Sequence, residues 1–157
     1  LLTFGIFYEY VLLDGHRIIP TSRLLRKTAG SSIVKVLLNG QYYTRELVSV
    51  FWHAQSSLND KTLWAEISWM RKAKCKPFMP DPWEKYLELE IKFCKFGRYH
   101  DLDHPDAPPQ FIKFNQISCQ LAHGQHTSMK PKLWITTSMA RVCTLDTSSY
   151  ILANQII

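Results

Sequence analysis

Four potential metal ligands fall within five residues in His100-Asp101-Leu102-Asp103-His104, the densest such set in the chain. Imidazole nitrogen and carboxylate oxygen together suit a divalent zinc, manganese or magnesium ion in a hydrolytic centre. No other cofactor is implied. A second constellation is cationic: Arg17, Arg23, Arg26, Lys27, Lys35 and Arg45 surround Tyr42 and Tyr43. Such a set can meet phosphates with its cations while an aromatic face stacks on a base or sugar. Each constellation has a plainer reading. The His/Asp run, followed by Pro105, Pro108 and Pro109, also fits a solvated surface loop, and Tyr42 or Tyr43 can face a core while the cations keep a β surface soluble. The sequence holds no Gly-rich phosphate loop, no G-x-S-x-G elbow and no cysteine beside a recognisable base, so those enzyme classes fall away.

The elements that would position these residues are legible in part. Asp14-Gly15 is a turn dipeptide, and Asn39-Gly40 is a strong hairpin signal because a type I′ turn needs two residues that tolerate positive φ. Ile33 to Leu38 and Gln41 to Tyr43 read as the paired strands of that hairpin. Thr44 can cap a helix in which Leu47, Val48 and Phe51 share a face. A further helix is expected between Leu58 and Lys74, capped at Asn59 or Asp60, with Leu63, Ile67 and Met70 along one side. Leu2 to Leu13 reads as a buried strand.

Pro77, Pro80 and Pro82 place a boundary between residues 1–76, an α+β unit, and residues 77–157, a mainly β unit that can share the same core. After a turn at Asp81-Pro82-Trp83-Glu84, the alternation of Leu87, Leu89, Ile91 and Phe93 with charged residues predicts a strand. Residues 97–109 read as an exposed loop. Phe111 to Leu121 and Leu133 to Leu145 read as β, and Tyr150 to Ile157 as a docked or edge strand. The fold class expected is α+β: a strand-hairpin-helix unit followed by a mainly antiparallel β half.

With 157 residues the chain can bury one core without staples. Its formal net charge of +6 favours an acidic partner, nucleic acid first and an anionic membrane surface second. Residues 1–54 carry six Lys/Arg against three Asp/Glu, and Arg71-Lys72-Ala73-Lys74-Cys75-Lys76 adds a concentrated patch. Cys75, Cys94, Cys119 and Cys143 form no C-x-x-C pair and are expected as reduced, buried thiols. No secretory leader and no apolar run long enough for a membrane-spanning helix is legible, so a soluble protein of the host cytoplasm or nucleus is expected. The chain opens on Leu1 rather than Met, which suggests a fragment or a processed product.

The order of Gly15, Arg17, Leu24, Leu25, Val34, Val36, Leu38, Asn39, Gly40, Leu47, Val48 and Phe51 resembles the small DNA-binding module that accompanies HNH-type homing endonucleases of phages and mobile elements. The resemblance covers residues 14–51 and implies DNA binding. Asp103-His104, Asn115 and His123 also resemble the order of an HNH nuclease site. That resemblance implies His104 as general base, Asn115 holding its imidazole, and Asp103 with His123 on a divalent metal ion. The leading expectation is a nucleic-acid-binding protein of phage, viral or mobile-element type, contacting phosphates through Arg17, Arg23, Arg26, Lys27, Lys35, Tyr42 and Arg45. Two alternatives stay open: a virion structural or protein-interaction component, forming a homo-oligomer or binding a viral partner, and a degenerate HNH-like metal-dependent nuclease.

Overall fold

A computed structural model of the chain describes residues 4–24, 32–54, 62–74, 80–101, 108–126 and 132–140. Ten strands run through them: β1 (Phe4–Phe7), β2 (Val11–Leu13), β3 (His16–Ile18), β4 (Ile33–Leu38), β5 (Gln41–Ala54), β6 (Leu63–Lys72), β7 (Lys92–Tyr99), β8 (Phe111–Lys113), β9 (Ile117–His126) and β10 (Leu133–Ser138). Helical backbone among the described residues is confined to three short 3₁₀ turns, Thr21–Arg23, Leu87–Leu89 and Phe114–Gln116. The expected α+β class is therefore corrected to an antiparallel β protein.

Both glycine turns form as their residue types require. Asn39 and Gly40 adopt φ of 51° and 75° between the paired residues Leu38 and Gln41. Asp14 and Gly15 adopt 50° and 75° between Leu13 and His16, joining β2 to β3. Two successive positive φ values match the right-handed twist of the flanking strands, which the ordinary turn types would splay apart.

Around the first of these turns the sheet closes on itself. β5 pairs with β4, β4 with β9, β9 with β10, β10 with β7, β7 with β6, and β6 again with β5, every pairing antiparallel. Residues 1–76 supply β4, β5 and β6 to this circuit and residues 77–157 supply β7, β9 and β10. Such closure leaves no unpaired edge within the circuit. Beyond it, the far ends of β5 and β6 continue as an open sheet, with β1 paired along Phe51 to Ala54 and β8 along Trp64 to Glu66.

Two apolar clusters follow from this geometry. Ile33, Met70, Cys94, Cys119 and Leu121 pack together with Trp134 although they come from five different strands of the circuit, so they fill its interior. Val34, Val36, Leu47, Val50, Ala65, Ile67 and Trp69 face outward from β4, β5 and β6 and are covered by Tyr8, Val11, Leu13, Ile18, Ile112, Phe114 and Ile117. The β2–β3 hairpin and the 112–117 segment thus cap one wall. Trp69, 1% exposed, donates its indole N–H to the Pro109 carbonyl at 2.8 Å.

The two expected helices are strands, for identifiable reasons. In β5 the register shifts between Leu47 and Ser49, so Val48 is an extra residue and Leu47 and Val50 point to the same side. One bulge thereby imitates the three-residue spacing of a helix face. In β6, Leu63, Ala65, Ile67 and Trp69 alternate toward the outer cluster, while Trp64 and Met70 make the opposite face partly apolar and mask the period of two. Residues 58–61 of that expected helix lie outside the described set, as do Tyr150 to Ile157.

A third expectation shifts. The strand predicted from Leu87 begins only at Lys92, because residues 87–91 have no partner strand and Glu90 turns the backbone to φ 47°. Leu87 is left 79% exposed. The second half is otherwise β as expected, with Ile112, Ile117, Cys119, Leu121 and Leu133 buried. No helix among the described residues is long and apolar enough to cross a membrane.

Trp69→Ala should lower stability by about 3–5 kcal/mol in urea or thermal unfolding, the range for emptying a buried large aromatic site. A loss below about 1 kcal/mol would contradict the packing described.

Candidate functional site

Of the cations expected at one surface, those among the described residues are dispersed by the elements that carry them. Arg17 is exposed on β3, its guanidinium 4.0 Å from the centre of the Tyr10 ring. Arg23 ends the Thr21–Arg23 turn and is exposed. Arg26 and Lys27 lie outside the described residues, as do Asp103 and His104.

Lys35 and Tyr42 do meet. Lys35 pairs with Thr44 across the β4–β5 ladder, and its ammonium lies 4.1 Å from the centre of the Tyr42 ring. It is, however, engaged within the molecule: Lys35 Nζ donates to Glu90 Oε2 at 2.6 Å. The two form an ion pair. Its side chains are 14% and 42% exposed, so the lysine is the sheltered half and the glutamate the solvated one.

Arg45 is buried, at 5% exposure, and takes no part in a free surface. Register places it opposite Trp69, and its guanidinium lies 4.0 Å from the Trp69 ring centre and 4.6 Å from that of Tyr43. It donates to the carbonyls of Thr44 and Met70, the latter at 3.3 Å, while Nε has no partner. No carboxylate among the described residues answers the charge: neighbouring Glu46 faces the other way and accepts from the Tyr99 hydroxyl. Desolvation brings the Arg45 pKa down to about 10, partly offset by Cys94 and Tyr43. Two ring faces and two carbonyl dipoles hold this cation where an ion pair would be the usual solution.

The metal site expected from the His/Asp run does not assemble among the described residues. His123 lies on β9 opposite Thr136 and packs edge-on against Trp134, ring centres 4.5 Å apart, facing the circuit's interior. Asn115 is exposed in the Phe114–Gln116 turn, outside the wall. His100 and Asp101 are exposed at the end of β7. No group of three His, Cys, Asp or Glu side chains that could hold a metal ion occurs among the described residues. Two of the four residues of the implied site, Asp103 and His104, lie outside that set. Cys94 and Cys119 are buried free thiols, and burial pushes the Cys94 thiol up.

Less prominent in the sequence is a second group of cations. Arg71 and Lys72 in β6, Lys74 just after it, Lys92 and Arg98 in β7 and Lys132 before β10 are exposed, and Lys95 of β7 is half-buried. β6, β7 and β10 are consecutive in the circuit. The Arg71 to Lys76 run announces part of this group. Its continuation in Lys92-Phe93-Cys94-Lys95-Phe96-Gly97-Arg98 becomes visible only once β7 is known to lie beside β6. No family model, curated protein or solved structure matches the chain.

Two outcomes follow from the buried groups. Arg45→Met keeps an unbranched stem between the rings and should stay within about 1 kcal/mol of the parent, whereas Arg45→Ala empties the slot and should cost about 2 kcal/mol or more in chemical unfolding. His123 is held below its ordinary pKa, chiefly by desolvation. The unfolded chain then binds protons that the folded one refuses, so stability should fall as pH drops below the ordinary histidine value. His123→Gln should flatten that fall in unfolding midpoints measured across mildly acidic pH.

Proposed function

We propose that this protein binds nucleic acid, with the phosphate backbone lying across the wall formed by β6, β7 and β10. What carries the reading is the concentration of Arg71, Lys72, Lys74, Lys92, Lys95, Arg98 and Lys132 on neighbouring strands, Lys72 and Lys92 on the side of Cys94 and Thr136 and Arg71 and Lys95 on the other, none of them ion-paired to a carboxylate among the described residues. Lys72, Lys74 and Lys92 share a hollow of about 480 Å³ with Asp81, Glu84 and Glu90, so local acids reduce the field there. Cations grouped in this way can exchange for the counterions condensed on a polyanion. Arg17 and Arg23 are exposed on the separate β2–β3 side and supplement this surface; Lys35 and Arg45 are committed elsewhere.

Binding of single- and double-stranded oligonucleotides should weaken steeply with salt. Lys72, Lys74, Lys95 and Arg98 changed together to Ala should flatten the log–log slope by about 0.7–0.9 for each phosphate contact removed. Arg17 and Arg23 changed together should flatten it less. A salt-independent interaction, or an unchanged slope in the fourfold variant, would overturn the assignment.

One observation favours a second reading, a protein-interaction role. Phe7 and Phe111 are 46% and 48% exposed on the open sheet, with the Phe51 ring between them at 5.4 and 5.9 Å. Exposed contiguous aromatics commonly mark association surfaces. Self-association that grows with concentration and disappears in a Phe7→Ser, Phe111→Ser double variant would support it.

A further inference from the structure

Where β4, β5, β9 and β10 leave an opening into the circuit there is a hollow of about 340 Å³, lined by Lys35, Tyr42, Thr44, Glu90, Lys92 and Thr136, with Leu121 adding apolar surface. That volume is in the range of small-molecule sites. Two ammonium groups and one carboxylate line it, leaving an excess of positive charge. The hydroxyls of Thr44 and Thr136, both buried, face each other at 3.3 Å. Thr136 Oγ1 also reaches the Lys92 carbonyl at 3.4 Å. These are long contacts that use each hydroxyl's single proton, so a phosphate gains them as donors only by turning them away from the Lys92 carbonyl and from each other. Tyr42 keeps half of its surface in solvent, at 51% exposure.

Glu90 is the unusual member. It is a non-glycine residue at φ 47°, in the left-handed region that a β-carbon resists. The Leu89 carbonyl just before it accepts from the Thr137 hydroxyl at 2.5 Å, which ties the segment to β10. The carboxylate so delivered sits on Lys35 at 2.6 Å while remaining 42% exposed. It occupies the position that an incoming anion would take.

We propose that this hollow binds a phosphate monoester carrying a planar ring, the chemistry of a single nucleotide, and that Glu90 is an internal carboxylate which the phosphate displaces from Lys35. Lys35 and Lys92 receive the phosphate, the Thr44 and Thr136 hydroxyls complete its shell, and the ring lies against the solvent-facing side of Tyr42. The proposal deepens the nucleic-acid reading, since the ligand is one unit of that polymer, but it uses a different set of side chains.

The test is titration of the full chain with adenosine and uridine monophosphates, and separately with inorganic phosphate, followed by calorimetry and aromatic NMR signals. Saturable monophosphate binding is expected, tighter than that of inorganic phosphate. Glu90→Gln, an exposed change that spares the fold, should tighten it about two- to five-fold, the range for releasing a solvated ion pair. Lys35→Met should weaken it about tenfold or more, as loss of a charge-assisted bond requires. An unaltered affinity in Glu90→Gln, inorganic phosphate bound as tightly as the monophosphates, or no saturable binding would overturn the proposal. The fourfold Lys72, Lys74, Lys95 and Arg98 variant separates the two ideas: it should retain monophosphate binding while losing polynucleotide. Polynucleotide binding without any monophosphate binding would sink the pocket alone, and monophosphate binding without polynucleotide would sink the wall.

Discussion

Strand β5 is paired with β4 along its first half, with β1 along its last residues and with β6 through most of its length. That triple commitment decides which of its side chains can reach solvent. Directly paired residues share a face, so Arg45 must lie with Val34 and Trp69, and Thr44 must lie with Lys35. Sequence proximity had grouped Lys35, Tyr42, Tyr43 and Arg45 into one cationic and aromatic surface. The ladder divides them. Lys35, Tyr42 and Thr44 turn toward the circuit's opening, whereas Tyr43 and Arg45 turn toward the outer cluster, where the Tyr43 and Trp69 rings meet edge to face at 5.8 Å.

Burial of Arg45 is an expense that hydrophobic substitution would avoid, because its desolvation is met by dipoles and ring quadrupoles rather than by an opposite charge. Its position explains how the cost is contained. The bond from its guanidinium to the Met70 carbonyl joins β5 to β6 at the point where the shared pairing of those strands closes the circuit. A cation with several donors can satisfy carbonyls on both strands at once, which no aliphatic side chain can do. Charge is thus retained as a linker of backbone at the seam, away from the solvent-exposed surface.

How much of this was legible depends on whether the signal was local. Asn39-Gly40 and Asp14-Gly15 announce their turns because positive φ is a property of the dipeptide itself. The alternation of Ile117, Cys119 and Leu121 marks β9 because all three are buried, although a register irregularity sends Ile117 to the outer cluster and Cys119 and Leu121 to the interior. Helix and strand were confused where tertiary structure altered the period. A single bulge at Val48 gave Leu47 and Val50 a helical interval, and Trp64 and Met70 placed apolar surface on both sides of β6. Conversely, Leu87, Leu89 and Ile91 alternate as a strand would but have no neighbour to pair with, and pattern alone cannot supply one. The candidate site suffered most. Lys92 and Glu90 reach Lys35 only through closure of the circuit, and the separation of Asn115 from His123 depends on which side of a wall each one faces.

The short connection before β7 links the two cationic regions physically. Glu90 reverses the backbone at φ 47°, and two residues later Lys92 begins the strand that pairs with β10. The conformation that aims the Glu90 carboxylate at Lys35 therefore also fixes where Lys92 emerges, and Lys92 lines both the smaller opening and the larger hollow that it shares with Lys72 and Lys74. On the proposed reading, a polyanion and a phosphate at the opening would meet at this one residue. Because Lys35 is already neutralised by Glu90 while the wall cations have no ion pairs among the described residues, long-range attraction arises from the wall and reaches the opening last. On the proposed reading, charge placement alone orders the encounter: a polyanion backbone would be captured first, and Glu90 would yield only to a group delivered within its own short reach.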